Sequence, residues 1–131
     1  MSGLLLDTSF LYELTEYGFA NTPASLRDTM DEAGIVVSVV SIWEVRIKWN
    51  TFDRFGRRKS PISPEEAIET SGQAGARQLD FTLAHARTSL DVPIPHRDPF
   101  DEQLLIQAQV EGLRFLTTDR LMVGHPLAWR P

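Results

Sequence analysis

The chain has 131 residues, 42% of them hydrophobic, and a formal net charge of -5; it is long enough to bury a core without crosslinks and too acidic to coat nucleic acid with uniform positive charge. With no cysteine, disulfides and thiolate metal sites are excluded, so any metal must be held by oxygen ligands or by His85, His96 and His125, a donor set that favours magnesium or manganese. The first residues lack the pattern of a secretion signal and no apolar run approaches the ~20 residues of a membrane span, so a single cytoplasmic domain over 1–131 is expected.

Gly3 to Asp7 is a short apolar run ending in Asp-Thr-Ser, the pattern of a buried strand followed by a helix N-cap. Residues 9–17 and 23–33 read as two helices separated by Gly18 and Pro23, the second stopped by Gly34. Ile35 to Ser38, short and β-branched, predicts a second strand. A helix over 42–50 follows, with Ile42, Val45 and Trp49 at helical spacing and Glu44 beside that apolar face, one turn from Lys48.

Residues 51–62 read as a basic loop, and Ser63-Pro64-Glu65-Glu66 combines a capping box with proline at the first helical position, which starts another helix. A further helix is expected from about Leu83 to Leu90, then a proline-rich turn from Val92 to Pro95. Asp98-Pro99-Phe100-Asp101 opens a helix through about Val110, with Leu104, Leu105 and Ala108 on its buried face and Gly112 closing it. Leu113 to Thr117 is the last strand, ended by Asp119. Strands alternating with helices predict an α/β fold, a parallel sheet covered by helices on both faces, in which ligands bind beyond the carboxyl ends of the strands.

Four acids fall at or near those ends: Asp7, Glu44, Asp101 and Asp119. Each also has a plain structural reading. Asp7, Asp98 and Asp119 can cap helices, and for Asp98 the cap is the preferred reading; Asp101 suits a helix dipole; Glu44 can pair with Lys48. Their joint placement points further, because converging carboxylates repel one another unless a divalent cation neutralises them. Between Arg46 and Lys59 six basic residues (Arg46, Lys48, Arg54, Arg57, Arg58, Lys59) face one acid, Asp53. A charge run is most often a solvated loop; with Trp49, Phe52 and Phe55 interleaved, this one can also track phosphates and stack a base.

The stretches LLLDTS near the start, S-x-x-S-I-W-E-V-x-x-K at 38–48, H-R-D-P-F-D-x-x-L-L-I-Q-A-Q at 96–109 and F-L-T-T-D at 115–119 together resemble the VapC-type PIN-domain toxins, as does the spacing of 18 residues from Asp101 to Asp119. The resemblance implies a PIN-like fold and a magnesium- or manganese-dependent endoribonuclease whose acidic pocket is formed by Asp7, Glu44, Asp101 and Asp119, with Asp98 as an additional acid and Thr8, Ser9 and Thr118 as hydroxyls around it. It further implies a homodimer and a cognate antitoxin protein from a type II toxin-antitoxin pair. His96 lies within the matching motif, although a lone histidine there is more often structural. The basic 51–60 loop departs from the family pattern.

Three other readings are weaker. A phosphoryl-accepting receiver domain wants its acceptor after a central strand, whereas Asp53 follows a helix among arginines. A haloacid-type phosphatase wants an Asp two residues after Asp7, where Ser9 stands. A catalytically silent PIN-fold interaction module would be expected to have lost one of the four acids, and all four are present.

Overall fold

The computed structural model describes residues 3–131. Leu4, Leu5 and Leu6 show no polar alternation because both faces of their strand are covered, and the same holds for Ile35 to Ser38. These strands, β1 (Leu4–Leu6) and β2 (Ile35–Ser38), lie in a four-stranded parallel sheet with β3 (Arg77–Leu79) and β4 (Arg114–Leu116), in the order β3-β2-β1-β4.

Six helices cover the sheet: α1 (Thr8–Tyr17), α2 (Ala24–Ala33), α3 (Val39–Trp49), α4 (Pro64–Gln73), α5 (Leu83–Arg87) and α6 (Pro99–Glu111). Period-two alternation sorts the strand side chains between two cores. Leu4, Leu6, Ile35, Val37 and Leu116 pack with Phe10, Leu11, Leu14, Leu26, Met30, Val45 and Ala67 of α1 to α4. On the opposite face Leu5, Val36 and Phe115 pack with Leu104, Leu105 and Ala108 of α6. No helix among the described residues is long and apolar enough to cross a membrane.

The predicted strands and long helices stand close to where the sequence places them. Three differences have physical causes. Strand β3 went unread because Arg77 and Gln78 are exposed on the sheet edge and only Leu79 is buried, which leaves no alternation to detect. Helix α3 begins at Val39 rather than Ile42, since the Ser38 hydroxyl accepts from the Val40 N–H and caps the helix directly behind the strand, overriding the β-branched pair Val39-Val40. Helix α5 stops at Arg87, three residues short of Leu90, where Thr88 turns extended.

A buried polar chain links β2 to α6 and α5. The Ser38 hydroxyl donates to Gln107 Oε1 at 2.5 Å, and Gln107 Nε2 donates to the Asp80 carbonyl. His85, fully buried, accepts from the Thr82 N–H at Nδ1 and meets Glu111 at Nε2, 2.8 Å away. Ser38→Ala strands both the Val40 N–H and Gln107 Oε1, so we expect a loss of about 1–3 kcal/mol, read as a lower urea midpoint at unchanged slope.

The order β3-β2-β1-β4 places the topological switch between β1 and β4. Successive strands proceed from β1 through β2 to β3 on one side, and the chain then returns to the other side of β1. Open parallel sheets form their binding crevice at this point, outside the strand carboxyl ends.

Candidate metal centre

Asp7 leaves β1 at the switch point. It occupies the N-cap position of α1, yet its carboxylate makes no capping bond. Instead, Oδ2 accepts from the Ser9 hydroxyl at 3.0 Å and from Thr117 at 2.6 Å, the latter reaching across from beyond β4. Asp7 is buried, and that burial raises its pKa against the opposing effect of the two hydroxyls.

Glu44 projects from α3 and is 4% exposed. Its Oε2 receives Lys48 Nζ at 2.5 Å, while its Oε1 is buried without a hydrogen-bond partner. Burial would lower the Lys48 pKa, but the bond and charge of Glu44 outweigh it and the pKa is raised. Lys48 is therefore held as an ammonium against Glu44.

Asp101 lies in the first turn of α6 and is buried. Its pKa is pushed up to about 8, first by burial and then by the charges of Asp7, Asp98, Glu44 and Asp119. The four acids singled out in the sequence, with Asp98, thus share one electrostatic neighbourhood. Asp98 caps α6, Oδ1 accepting from the Phe100 and Asp101 N–H groups, which is the structural reading preferred from the sequence. Asp119 is half-buried, and its Oδ1 accepts from the Leu121 N–H.

One ligand atom each from His96, Asp101 and Asp119 lie within 4.8 Å of one another. The imidazole is better read as a donor than as a ligand. Its Nδ1 accepts from the Asp98 N–H at 3.0 Å, so the proton of the neutral ring is on Nε2, which lies 3.1 Å from Asp101 Oδ2 without the alignment of a formed hydrogen bond. Nε2 therefore has no lone pair to offer an ion, whereas a ligating histidine donates its other ring N–H.

The donor set fits a hard divalent cation. Asp101 and Asp119 could supply oxygens where their ligand atoms approach, Asp7 lies in the same electrostatic neighbourhood outside that trio, and the buried, unpartnered Glu44 Oε1 is an atom that a cation or its water would satisfy. His85 and His125 are committed elsewhere, to Glu111 and to the Val92 carbonyl.

The basic residues divide into three environments. Lys48 belongs to the acidic site through Glu44. Arg58 lies over the rings of Trp49 and Phe52 and donates to the Trp49 carbonyl, which braces the loop. Arg46, Arg54, Arg57 and Lys59 are exposed, with Arg54 and Arg57 beside Phe55 and Arg46 over Trp43. The three hydroxyls also divide. Thr8 bonds Ser41 between α1 and α3, Ser9 bonds Asp7, and Thr118 bonds Ser9.

Two residues of the site went unread in the sequence. Thr117, hidden in the strand-end pair Thr117-Thr118, directly bonds Asp7. Tyr12, one turn beyond Thr8 on α1, places a buried hydroxyl close to Ser60 without a well-formed hydrogen bond and lies among the charges of Lys48, Glu44 and Asp7.

The PIN domain family model matches residues 4–123, and the chain belongs to the PIN-domain family. Among solved structures, DNA-bound VapBC from Salmonella typhimurium has the same fold, with a TM-score of 0.60 at 18% identity over 98% of this chain and 96% of that one. No curated protein matches the sequence.

Proposed function

We propose that this chain is a magnesium- or manganese-dependent endoribonuclease, the toxin of a VapBC-like type II pair, acting as one cytoplasmic domain over 1–131, as a homodimer, and restrained by a cognate antitoxin protein. The observation that carries this reading is the carboxylate cluster at the strand switch point, where Asp101 is raised to about 8 by burial and by four neighbouring acids. Such a cluster is unfavourable by itself and becomes favourable around a divalent cation.

Asp7, Asp101 and Glu44 would hold the ion directly or through water, with Asp119 in a supporting position and Asp98 acting chiefly through the cap that orders Asp101. The ion would supply Lewis acidity toward a water nucleophile and toward the charge developing on a phosphodiester. The chain's own residues do the positioning. Ser9 and Thr117 orient the Asp7 carboxylate, and Lys48 holds Glu44. The PIN fold and the VapBC likeness support the toxin assignment. An antitoxin side chain such as arginine would suit the acids by charge-assisted hydrogen bonds and compete with the metal.

The direct test incubates purified, partner-free protein with structured and unstructured RNA in magnesium, manganese or chelator; cleavage in a metal and silence in chelator is the expected result. Absence of cleavage in every metal would remove the nuclease reading. Expression alone should arrest growth, relieved by the neighbouring gene. Harmless expression of a protein that cleaves RNA in vitro would sink the toxin assignment alone.

The proposed RNA path follows Arg46, Arg54, Arg57, Arg58 and Lys59, the exposed part of the basic segment, while Lys48 serves Glu44. If these contact phosphate, single-strand affinity falls with log salt at about -0.7 per contact. Changing Arg57 and Lys59 together to alanine should then flatten that slope by roughly one to one and a half units, with manganese binding intact. An unchanged slope would make the loop a solvated face. Arg58→Ala is the less clean variant because it also removes the brace on Trp49.

A further inference from the structure

Among the described residues, Lys48 is the one lysine or arginine within ion-pair distance of any of the five acids at the site. A helical pair four residues apart is ordinarily exposed on both sides and contributes little. This one is lopsided. The Glu44 side chain is 5% exposed and that of Lys48 is 37% exposed, so the carboxylate is fixed in the pocket while the ammonium sits at its mouth on a flexible stem. The two Glu44 oxygens differ as well: Oε2 is held by Nζ at 2.5 Å, and Oε1 is buried with nothing to accept from. An unsatisfied carboxylate oxygen is costly in a dry site unless a ligand completes it. After Glu44, the next groups in the electrostatic surroundings of Lys48 are Tyr12 and Asp98. The ammonium thus has neighbours to turn to if Glu44 is claimed by something else.

We propose that Lys48 is a built-in counterion that competes with the divalent cation for Glu44, holding the carboxylate in place in the metal-free protein and yielding it when the ion enters. The inference rests on the reading that the acidic cluster binds such an ion. It assigns Lys48 a positioning role exerted through Glu44, distinct from the phosphate contact considered for the rest of the basic segment. It also has a directional consequence. Removing the ammonium frees a carboxylate already sited in the pocket, so metal affinity rises, whereas loss of a merely structural brace would lower it.

The experiment is calorimetric titration of manganese into the full chain after chelation, with folding of each variant checked by circular dichroism. Lys48→Met is expected to bind manganese roughly tenfold more tightly than wild type, a coupling typical of adjacent charged groups. Lys48→Arg, which keeps the charge, should stay within about twofold. In a Glu44→Gln background, where no carboxylate is contested, adding Lys48→Met should give little or no gain.

A folded Lys48→Met protein with unchanged or weaker manganese binding overturns the proposal and leaves the metal reading standing. An equal gain in both backgrounds also overturns it, because the ammonium would then act by its field and not through Glu44. Failure of folded wild type and all variants to bind manganese overturns the metal reading and this proposal together.

Discussion

Chelated protein is expected to melt at a higher temperature at pH 6 than at pH 8, and Asp101→Asn is expected to erase most of that difference. The sign follows from the raised carboxyl. The folded state keeps the Asp101 proton up to about pH 8, whereas the unfolded chain releases it near the ordinary carboxyl value of 3.8. Between those values the folded state binds the extra proton, so stability falls as pH rises and the penalty is complete above about pH 8. The burial-raised pKa of Asp7 acts in the same direction and leaves a smaller residual slope in the variant. Asparagine cannot ionise, so at pH 8 the variant should melt above wild type by roughly 5 °C, the size expected for about 1 kcal/mol or more in a domain of this length. Manganese added at pH 8 should raise the wild-type melting temperature by mass action. A wild-type melting temperature that climbs from pH 6 to pH 8, or a variant that keeps the full slope, would show that Asp101 is not under this strain.

The second large effect is expected at Asp7. Replacing it with asparagine preserves volume and an oxygen able to accept from Ser9 and Thr117, so the fold should survive with a change within about 1 kcal/mol. The charge at the switch point is lost. RNA cleavage should fall on the order of a thousandfold, equivalent to roughly 4 kcal/mol of transition-state stabilisation, and the rise in melting temperature produced by manganese should disappear. Thermal melts with and without manganese separate the two consequences. An equal manganese response in wild type and Asp7→Asn would remove Asp7 from the site, and full activity in the variant would remove it from the chemistry.

Fold class was legible because its signals are local. The runs Leu4 to Leu6 and Ile35 to Ser38 are apolar without alternation, as strands covered on both faces require, and the capping motifs at Ser63 and Asp98 mark helix starts through hydrogen bonds made within four residues. Gly112, in the left-handed region at φ 68°, ends α6 where the chain must turn into β4. Strand β3 was not legible, since an edge strand with Arg77 and Gln78 in solvent carries no hydrophobic period. The early start of α3 was hidden for a related reason. Val39 and Val40 favour a strand by propensity, and a single cap at Ser38 decides otherwise.

By itself the sequence determined a parallel α/β chain with acids following its strands and helix starts, because strand, cap and turn signals act over a few residues and the right-handed crossover of parallel units leaves few topologies. It also carried the ordered motif set of the PIN family. Only the tertiary structure decided what each polar side chain does, because those roles depend on partners far apart along the chain. Asp7 and Asp98 both read as helix caps, yet Thr117, 110 residues away, holds the Asp7 carboxylate while Asp98 does cap. Lys48 read both with the basic loop and as a partner one turn from Glu44; the pair forms, and what the packing of α3 decided is that its carboxylate is buried while the lysine stays partly exposed. Asp101 read as one acid among several; burial and the charges of four neighbouring acids raise its carboxyl to about 8.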